Sequence, residues 1–202
     1  MLDVEGFILV GGMSSRMGKD KSRLVFGDRT SAALIAASLQ SVTGTIRTVG
    51  AAVSAVEGLA NVADARDHWG PLAGIEAALN NANSDYCLIV ACDLPFVTGK
   101  LFERLIGLTE HEEAIVPVQS DGRPQPLCAI YRCSPSLAAA RKAIANGEHS
   151  PRALLDQVHT RYVPFAELSD LDGSEYFFFN VNTPENYERA QQIFRAGLQT
   201  GP

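Results

Sequence analysis

An apolar start, Gly6 to Val10, runs straight into Leu9-Val10-Gly11-Gly12-Met13-Ser14-Ser15-Arg16-Met17-Gly18-Lys19-Asp20-Lys21. A short strand feeding a glycine-rich, cationic loop this close to the N-terminus limits what the chain can build. Gly11 and Gly12 let the backbone approach a ligand closely. Ser14 and Ser15 supply hydroxyls, Arg16 can grip two oxygens at once, and Lys21 adds a point charge. Backbone N–H groups and fixed cations of this kind suit a triphosphate. Two familiar glycine motifs fail here. Five residues separate Gly12 from Gly18, and Asp20 rather than a hydroxyl follows Lys19, so the loop is not a Walker-type P-loop. Met13 follows Gly11-Gly12, so it is not the dinucleotide fingerprint either.

The 202 residues suffice for one domain with a sizeable core, expected to span 1–202 with a nucleotide-binding half, 1–118, and an acceptor-binding half, 119–202. The net charge of −6 argues against a nucleic-acid surface, so any anion site must be a local gathering of Lys and Arg. No apolar run approaches the roughly 20 residues of a membrane span. Met1-Leu2-Asp3-Val4-Glu5 lacks the marks of an export signal. Cys87, Cys92, Cys128 and Cys133 form no C-x-x-C pair and read as reduced core thiols, which makes the cytoplasm the expected compartment.

Strand and helix signals alternate through the first half. Phe7–Val10, Thr45–Val49, Gly58–Val62, Tyr86–Ala91 and Ala114–Val118 read as strands. Thr30–Val42, Leu72–Asn80 and Gly99–Leu108 read as helices. That order implies an α/β fold: a three-layer α/β/α sandwich around a mostly parallel, Rossmann-like mixed sheet. In the second half, Gln125–Tyr131 and Tyr176–Asn180 read as strands added in antiparallel fashion, with helices over Pro135–Ala145 and Pro151–Gln157. The final helix is capped by Thr183, opens on Pro184 and carries Glu185 in its first turn. In such sheets ligands bind beyond the carboxyl ends of the strands, after Val10, Val62, Ala91 and Asn180.

The opening segment closely resembles the nucleotidyltransferase signature L-x-G-G-x-S-x-R-M-G-x-D-K, in the form typical of the molybdenum cofactor guanylyltransferases. Three further motifs follow in order: Gly70-Pro71-Leu72-Ala73-Gly74, Cys92-Asp93-Leu94-Pro95-Phe96, and Asn180-Val181-Asn182-Thr183-Pro184-Glu185. Together they cover about residues 6–195. The resemblance implies a nucleotide-diphospho-sugar transferase type of fold. It also implies transfer of GMP from GTP to the molybdenum-bearing pterin (molybdopterin), with loss of pyrophosphate and a need for Mg2+. Leu9, Val10, Gly11, Gly12, Ser14 and Asp64 would then line the nucleotide. Arg16 and Lys21 would hold phosphates, Asp93 would bind magnesium, and Asn180 and Asn182 would face the pterin or the metal. Transient contact with cofactor-synthesis or apo-molybdoenzyme proteins is a further expectation.

Each assignment has a plainer counterpart. Asp93 could cap the next turn, Asp64 could be a loop carboxylate in water, and the two asparagines could form a helix-entry network with Thr183. If Asn180–Asn182 is extended, both amides point the same way. Arg123 and Gln125 lie in a turn before a strand, and Arg152 follows Ser150-Pro151. Trp69, beside Gly70-Pro71, reads as packing more readily than as a stacking platform. The family often carries an Asn after the second strand that helps read guanine. Here the matching stretch is Val49-Gly50-Ala51-Ala52, without an amide. A sister reaction therefore stays open, with CTP or a sugar phosphate, as does a non-catalytic nucleotide-binding role.

Overall fold

The computed structural model describes residues 2–10, 21–50, 56–63 and 69–197. In chain order the elements are β1 (Val4–Val10), β2 (Val25–Phe26), β3 (Arg29–Thr30), α1 (Ser31–Gln40), β4 (Ile46–Gly50), β5 (Ala60–Val62), α2 (Pro71–Asn81), β6 (Tyr86–Ala91) and α3 (Gly99–Ile106). They continue with β7 (Ala114–Pro117), β8 (Cys128–Arg132), α4 (Cys133–Ala145), α5 (Arg152–Leu155), β9 (Thr160–Val163) and α6 (Pro184–Arg195). Seven strands form one sheet in the order β5-β4-β1-β6-β8-β7-β9. β5, β4, β1 and β6 are mutually parallel, β8 is antiparallel to both β6 and β7, and β9 is parallel to β7. Within this sheet β8 alone is reversed.

The two central strands are apolar because both their faces are covered. All six residues of β6 are buried. Along β1, Phe7 and Ile8 are fully buried yet belong to different core clusters, as period-two alternation requires. Ile8 joins Leu88 and Ile130 beneath Ile35 and Leu39 of α1 and Leu101, Phe102 and Leu105 of α3. Phe7 joins Ile89 and Ala129 beneath Leu72 and Ile75 of α2, Ala139 and Ala140 of α4, and Leu154 of α5. A third, smaller cluster seats Ala190 and Ile193 of α6 against Leu24, Phe26, Leu34, Phe96 and Val181. Helix starts follow their caps. The side chains of Thr30, Thr98 and Thr183 accept from Ala33, Leu101 and Asn186 N–H respectively, and Pro71 and Pro184 open α2 and α6.

The structure corrects the sequence reading in four places. Tyr176–Asn180 is not a strand. Ser174–Tyr176 form a 3-10 turn, and the aromatics beyond are buried by rings rather than by a ladder. Phe177 packs edge-on to Phe178 at 6.2 Å, while Phe179 meets Phe96 at 6.3 Å, so one run serves two clusters. The added strand there is β9, whose Thr160–Val163 is short, half polar and sits at the sheet edge. The strand expected over Gln125–Tyr131 begins only at Cys128, because Pro126 offers no N–H to a ladder. Finally, β2 and β3 make a small hairpin that turns through Gly27. Its φ of 63° needs glycine, and a Cβ there would meet the Phe194 ring at 2.9 Å.

One ion pair sits inside the sheet. Arg47 Nη2 donates to Glu5 Oε2. Asn83 N–H donates to Glu5 Oε1 at 3.0 Å, and the Arg47 guanidinium lies 4.9 Å from the Phe7 ring centroid. Glu5→Ala is expected to lower the unfolding free energy by about 2 kcal/mol, because it strands a largely buried guanidinium and a backbone donor. Arg123→Ala removes an exposed pair with Asp121 and should leave the urea midpoint unchanged. Equal midpoint shifts in the two variants would refute this ranking.

Candidate active site

The apolar run of β6 ends at Ala91, and Asp93 is the first charged residue past it. Three distant segments fix the peptide that carries it. Cys92 N–H donates to the Leu9 carbonyl of β1 at 3.1 Å. Buried Ser31 Oγ, at the start of α1, donates to the Cys92 carbonyl at 2.5 Å. Val181 N–H donates to the Asp93 carbonyl at 2.9 Å, which draws the segment before α6 across the carboxyl edge of the sheet. That segment brings Asn182 with it. Thr183 then starts α6 with its hydroxyl on the Asn186 N–H.

Lys21 completes the cluster. Its Nζ lies 3.5 Å from Asp93 Oδ2 and donates to Asn182 Oδ1. The Lys21 and Asp93 side chains keep 19% and 17% of their surface, enough to reach a ligand. Burial raises the affinity of the Asp93 carboxyl for a proton above that of an ordinary aspartate. The Lys21 charge and its hydrogen bond pull the other way without cancelling this. A carboxylate so placed gains from further positive charge. Among the described residues no group of three or more His, Cys, Asp or Glu could cage a metal. A single carboxylate suits an ion like Mg2+, which takes one or two carboxylates and keeps water and phosphate oxygens.

The other expected site residues fall as follows. Leu9 and Val10 end β1 on the same edge, Leu9 partly exposed and Val10 buried. A Cβ on Gly74 of α2 would come within 3.4 Å of the Leu9 side chain, so that helix packs closely over the strand end. Gly11, Gly12, Ser14, Arg16 and Asp64 lie outside the described residues. Val10 and Lys21, which flank the first four of these in sequence, are both described, and Lys21 comes to Asp93. Asn180 and Asn182 part ways. The Asn180 amide donates to the Phe178 carbonyl at 3.1 Å, whereas the Asn182 amide accepts from Lys21.

Two positions escaped the sequence reading. Ser31 immediately follows the cap Thr30, and a second hydroxyl there was the available signal. Gln119 Nε2 donates to the Phe178 carbonyl at 3.2 Å and helps hold the same crossing segment. Arg123 pairs with its neighbour Asp121, Arg152 is exposed at the start of α5, and Trp69 packs on His149 with ring centroids 4.5 Å apart. These three fit their plainer readings.

Residues 6–161 match the MobA-like NTP transferase domain. The chain belongs to that family. It is therefore a nucleotidyltransferase. A protein of Pelotomaculum thermopropionicum named probable molybdenum cofactor guanylyltransferase is 33% identical over 100% of this chain and 98% of its own length. A molybdenum cofactor guanylyltransferase of Desulfosudis oleivorans is 30% identical, over 96% of this chain and 97% of its own. The solved structure of molybdopterin-guanine dinucleotide biosynthesis protein A from Archaeoglobus fulgidus superposes with a TM-score of 0.82 at 26% identity, covering 95% of this chain and 99% of that one. This fits the mostly parallel nucleotidyltransferase sheet. No helix among the described residues is long and apolar enough to cross a membrane.

Asn182→Leu tests the coupling between the two halves of the cluster. It removes the acceptor that orients the Lys21 ammonium, and we expect about a tenfold loss of kcat/KM, since losing a hydrogen bond to a charged group costs about 1.4 kcal/mol or more. Asn180→Leu should cost less, because its amide donates to the nearby Phe178 carbonyl and not to the Lys21–Asp93 pair. The opposite order in steady-state assays would reverse the assignment.

Proposed function

We propose that this nucleotidyltransferase transfers the GMP moiety of GTP to the phosphate of molybdopterin and releases pyrophosphate. The observation that carries the reading is the meeting of Lys21, Asp93 and Asn182 at the carboxyl edge, with the glycine-rich segment entering from Val10 and leaving at Lys21. Relatives 33% and 30% identical over nearly their whole length are named as molybdenum cofactor guanylyltransferases, which supports the choice of guanylyl donor and pterin acceptor.

Both reactants are anions, so the work of the protein is to hold them together and offset their charge. Leu9, Val10, Gly11, Gly12, Ser14 and Asp64 line the nucleotide. Arg16 and Lys21 neutralise charge that builds on the α-phosphate and the departing pyrophosphate. Asn182 orients the Lys21 ammonium, and with Asn180 it borders the acceptor. Asp93 would hold Mg2+, which when bound would supply further neutralisation of phosphate charge. No side chain need remove a proton, because the incoming phosphate oxygen is already ionised at neutral pH. This accounts for a described cluster of one carboxylate, one ammonium and one amide, from Asp93, Lys21 and Asn182.

The test follows pyrophosphate release from GTP with magnesium and molybdopterin. Asp93→Ala is expected to lower turnover by about 10²-fold or more, the scale for loss of one preorganised charge stabiliser, while the variant still folds. Near-normal turnover in that variant would remove Asp93 from the mechanism. The stretch Val49-Gly50-Ala51-Ala52, lacking an amide, favours one second reading in which another base is used. Thermal-shift profiles with four nucleoside triphosphates and magnesium separate the two. GTP should stabilise most, and preference for CTP would move the donor assignment to the sister reaction.

A further inference from the structure

Cys87 lies second in β6, and Cys133 opens α4. Although 46 positions apart, their sulfurs are 3.3 Å from each other. The antiparallel register accounts for this. Cys87 faces Tyr131, Tyr86 faces Arg132, and Cys133 N–H donates to the Asp85 carbonyl at 2.8 Å. The ladder thus runs one step beyond β8 and sets Cys133 opposite the start of β6. Both sulfurs lie on the α2 and α4 side of the sheet, whereas buried Cys92 and Cys128 belong to the other core cluster.

The two thiols differ in access. Cys87 is fully buried, while Cys133 is partly exposed. Around Cys87 stand Glu5 of β1 and Arg47 of β4, which are paired to each other. The S–H contact with Cys133 and, after it, burial push the Cys87 thiol far above its ordinary value, so it stays protonated. Cys133 is then the sulfur that meets an oxidant from solvent first.

We infer that Cys87 and Cys133 form a dithiol modification site at which a hydroperoxide produces an intramolecular disulfide. In the first step the Cys133 sulfur attacks a peroxide oxygen. With hydrogen peroxide an S–O bond forms, the O–O bond breaks, and the departing hydroxide takes up the Cys133 proton and leaves as one water, giving a sulfenic acid. In the second, the Cys87 sulfur attacks the Cys133 sulfur. An S–S bond forms, the S–O bond breaks, and the Cys87 proton departs with the hydroxyl as a second water. Two thiols lose two electrons in total, and the hydroperoxide takes them up. The sulfurs must close by about 1.2 Å to reach disulfide length, a shift that rotamer adjustment can supply. The bond would tie the start of β6 to the start of α4, at the amino edge of the sheet. Lys21 and Asp93 are at the opposite edge, so nucleotidyl transfer should survive oxidation.

The test uses the full chain, reduced, freed of reductant and treated with hydrogen peroxide. Intact mass should fall by about 2 Da, and two thiols should be lost on titration after denaturation. Peptide mapping should join Cys87 to Cys133. The melting temperature should rise by about 5 °C, because closing the loop restricts the unfolded chain, and a thiol reductant should reverse the rise. Cys133→Ser should show neither the mass loss nor the stabilisation. A gain of about 16 Da or more on Cys133 without a cross-link would overturn the inference. So would an unchanged mass, a link through Cys92 or Cys128, or a mass loss that persists in Cys133→Ser.

Discussion

Burial of β6 on both faces and along both edges is the constraint on which the site depends. All six of its residues are inside, and it is paired with β1 on one side and β8 on the other. A strand so enclosed holds a charge only where a partner is at hand, as Arg47 is for Glu5 in β1, and β6 carries none until Asp93, past its end. There the backbone is no longer in a ladder, and its hydrogen bonds must be met otherwise. Leu9, Ser31 and Val181 meet them from three separate parts of the chain. The same contacts that satisfy this peptide also hold the carboxylate still. Preorganisation of the site is thus a by-product of completing the backbone hydrogen bonding at the end of a buried strand.

The single reversed strand gives the sheet its functional asymmetry. Because β8 runs against β6 and β7, the connection from β7 to β8 turns at the carboxyl edge. It holds Gln119, whose side chain braces the Phe178 carbonyl in the segment that leads on to Asn182. The chain then leaves β8 at the opposite edge, where α4 begins with Cys133. One reversal therefore puts a supporting side chain beside the chemistry and brings two thiols together far from it. Seven parallel strands would have needed a crossover at that point and would have produced neither juxtaposition.

Much of this was legible from sequence, for reasons that differ by element. β1, β6, α1, α2 and α6 carry signals set by local physics: unbroken apolar runs for doubly covered strands, threonine caps, and proline in the first turn. The place of Asp93 was legible because a charged residue just past such a run lies at a sheet edge in this class of fold, whereas Lys21, eleven residues beyond Val10, was set beside it in the sequence reading by the motif alone. The aromatic run Tyr176–Phe179 misled because β-propensity reports suitability for a half-buried surface, and a bend between two core clusters offers one as readily as a strand does. β9 was missed because four residues with a mixed pattern carry too little periodicity. The divergence of Asn180 from Asn182 could not be read at all. It depends on Lys21, 161 residues earlier, and on a local carbonyl that an extended reading assigns to a ladder.

That divergence bears on how the site balances charge. The chain carries −6 overall, yet the proposed reaction joins two anions, so positive charge has to be concentrated where the phosphates would meet. Lys21 is drawn in two directions, toward the Asp93 carboxylate at 3.5 Å and toward the Asn182 amide. A tight, isolated Lys–Asp pair would cancel itself and offer little to a phosphate. Sharing the ammonium with a neutral amide leaves it only partly committed to Asp93, and burial keeps that carboxylate short of compensation. Both groups therefore have interactions still to gain when phosphate and cation arrive together. A substrate that brings its own positive charge satisfies both at once, whereas a bare anion would satisfy Lys21 and repel Asp93. Under the proposed function the cluster would select for a metal-bound triphosphate before any base is read, and recognition of the base would have to come from elsewhere along the same edge.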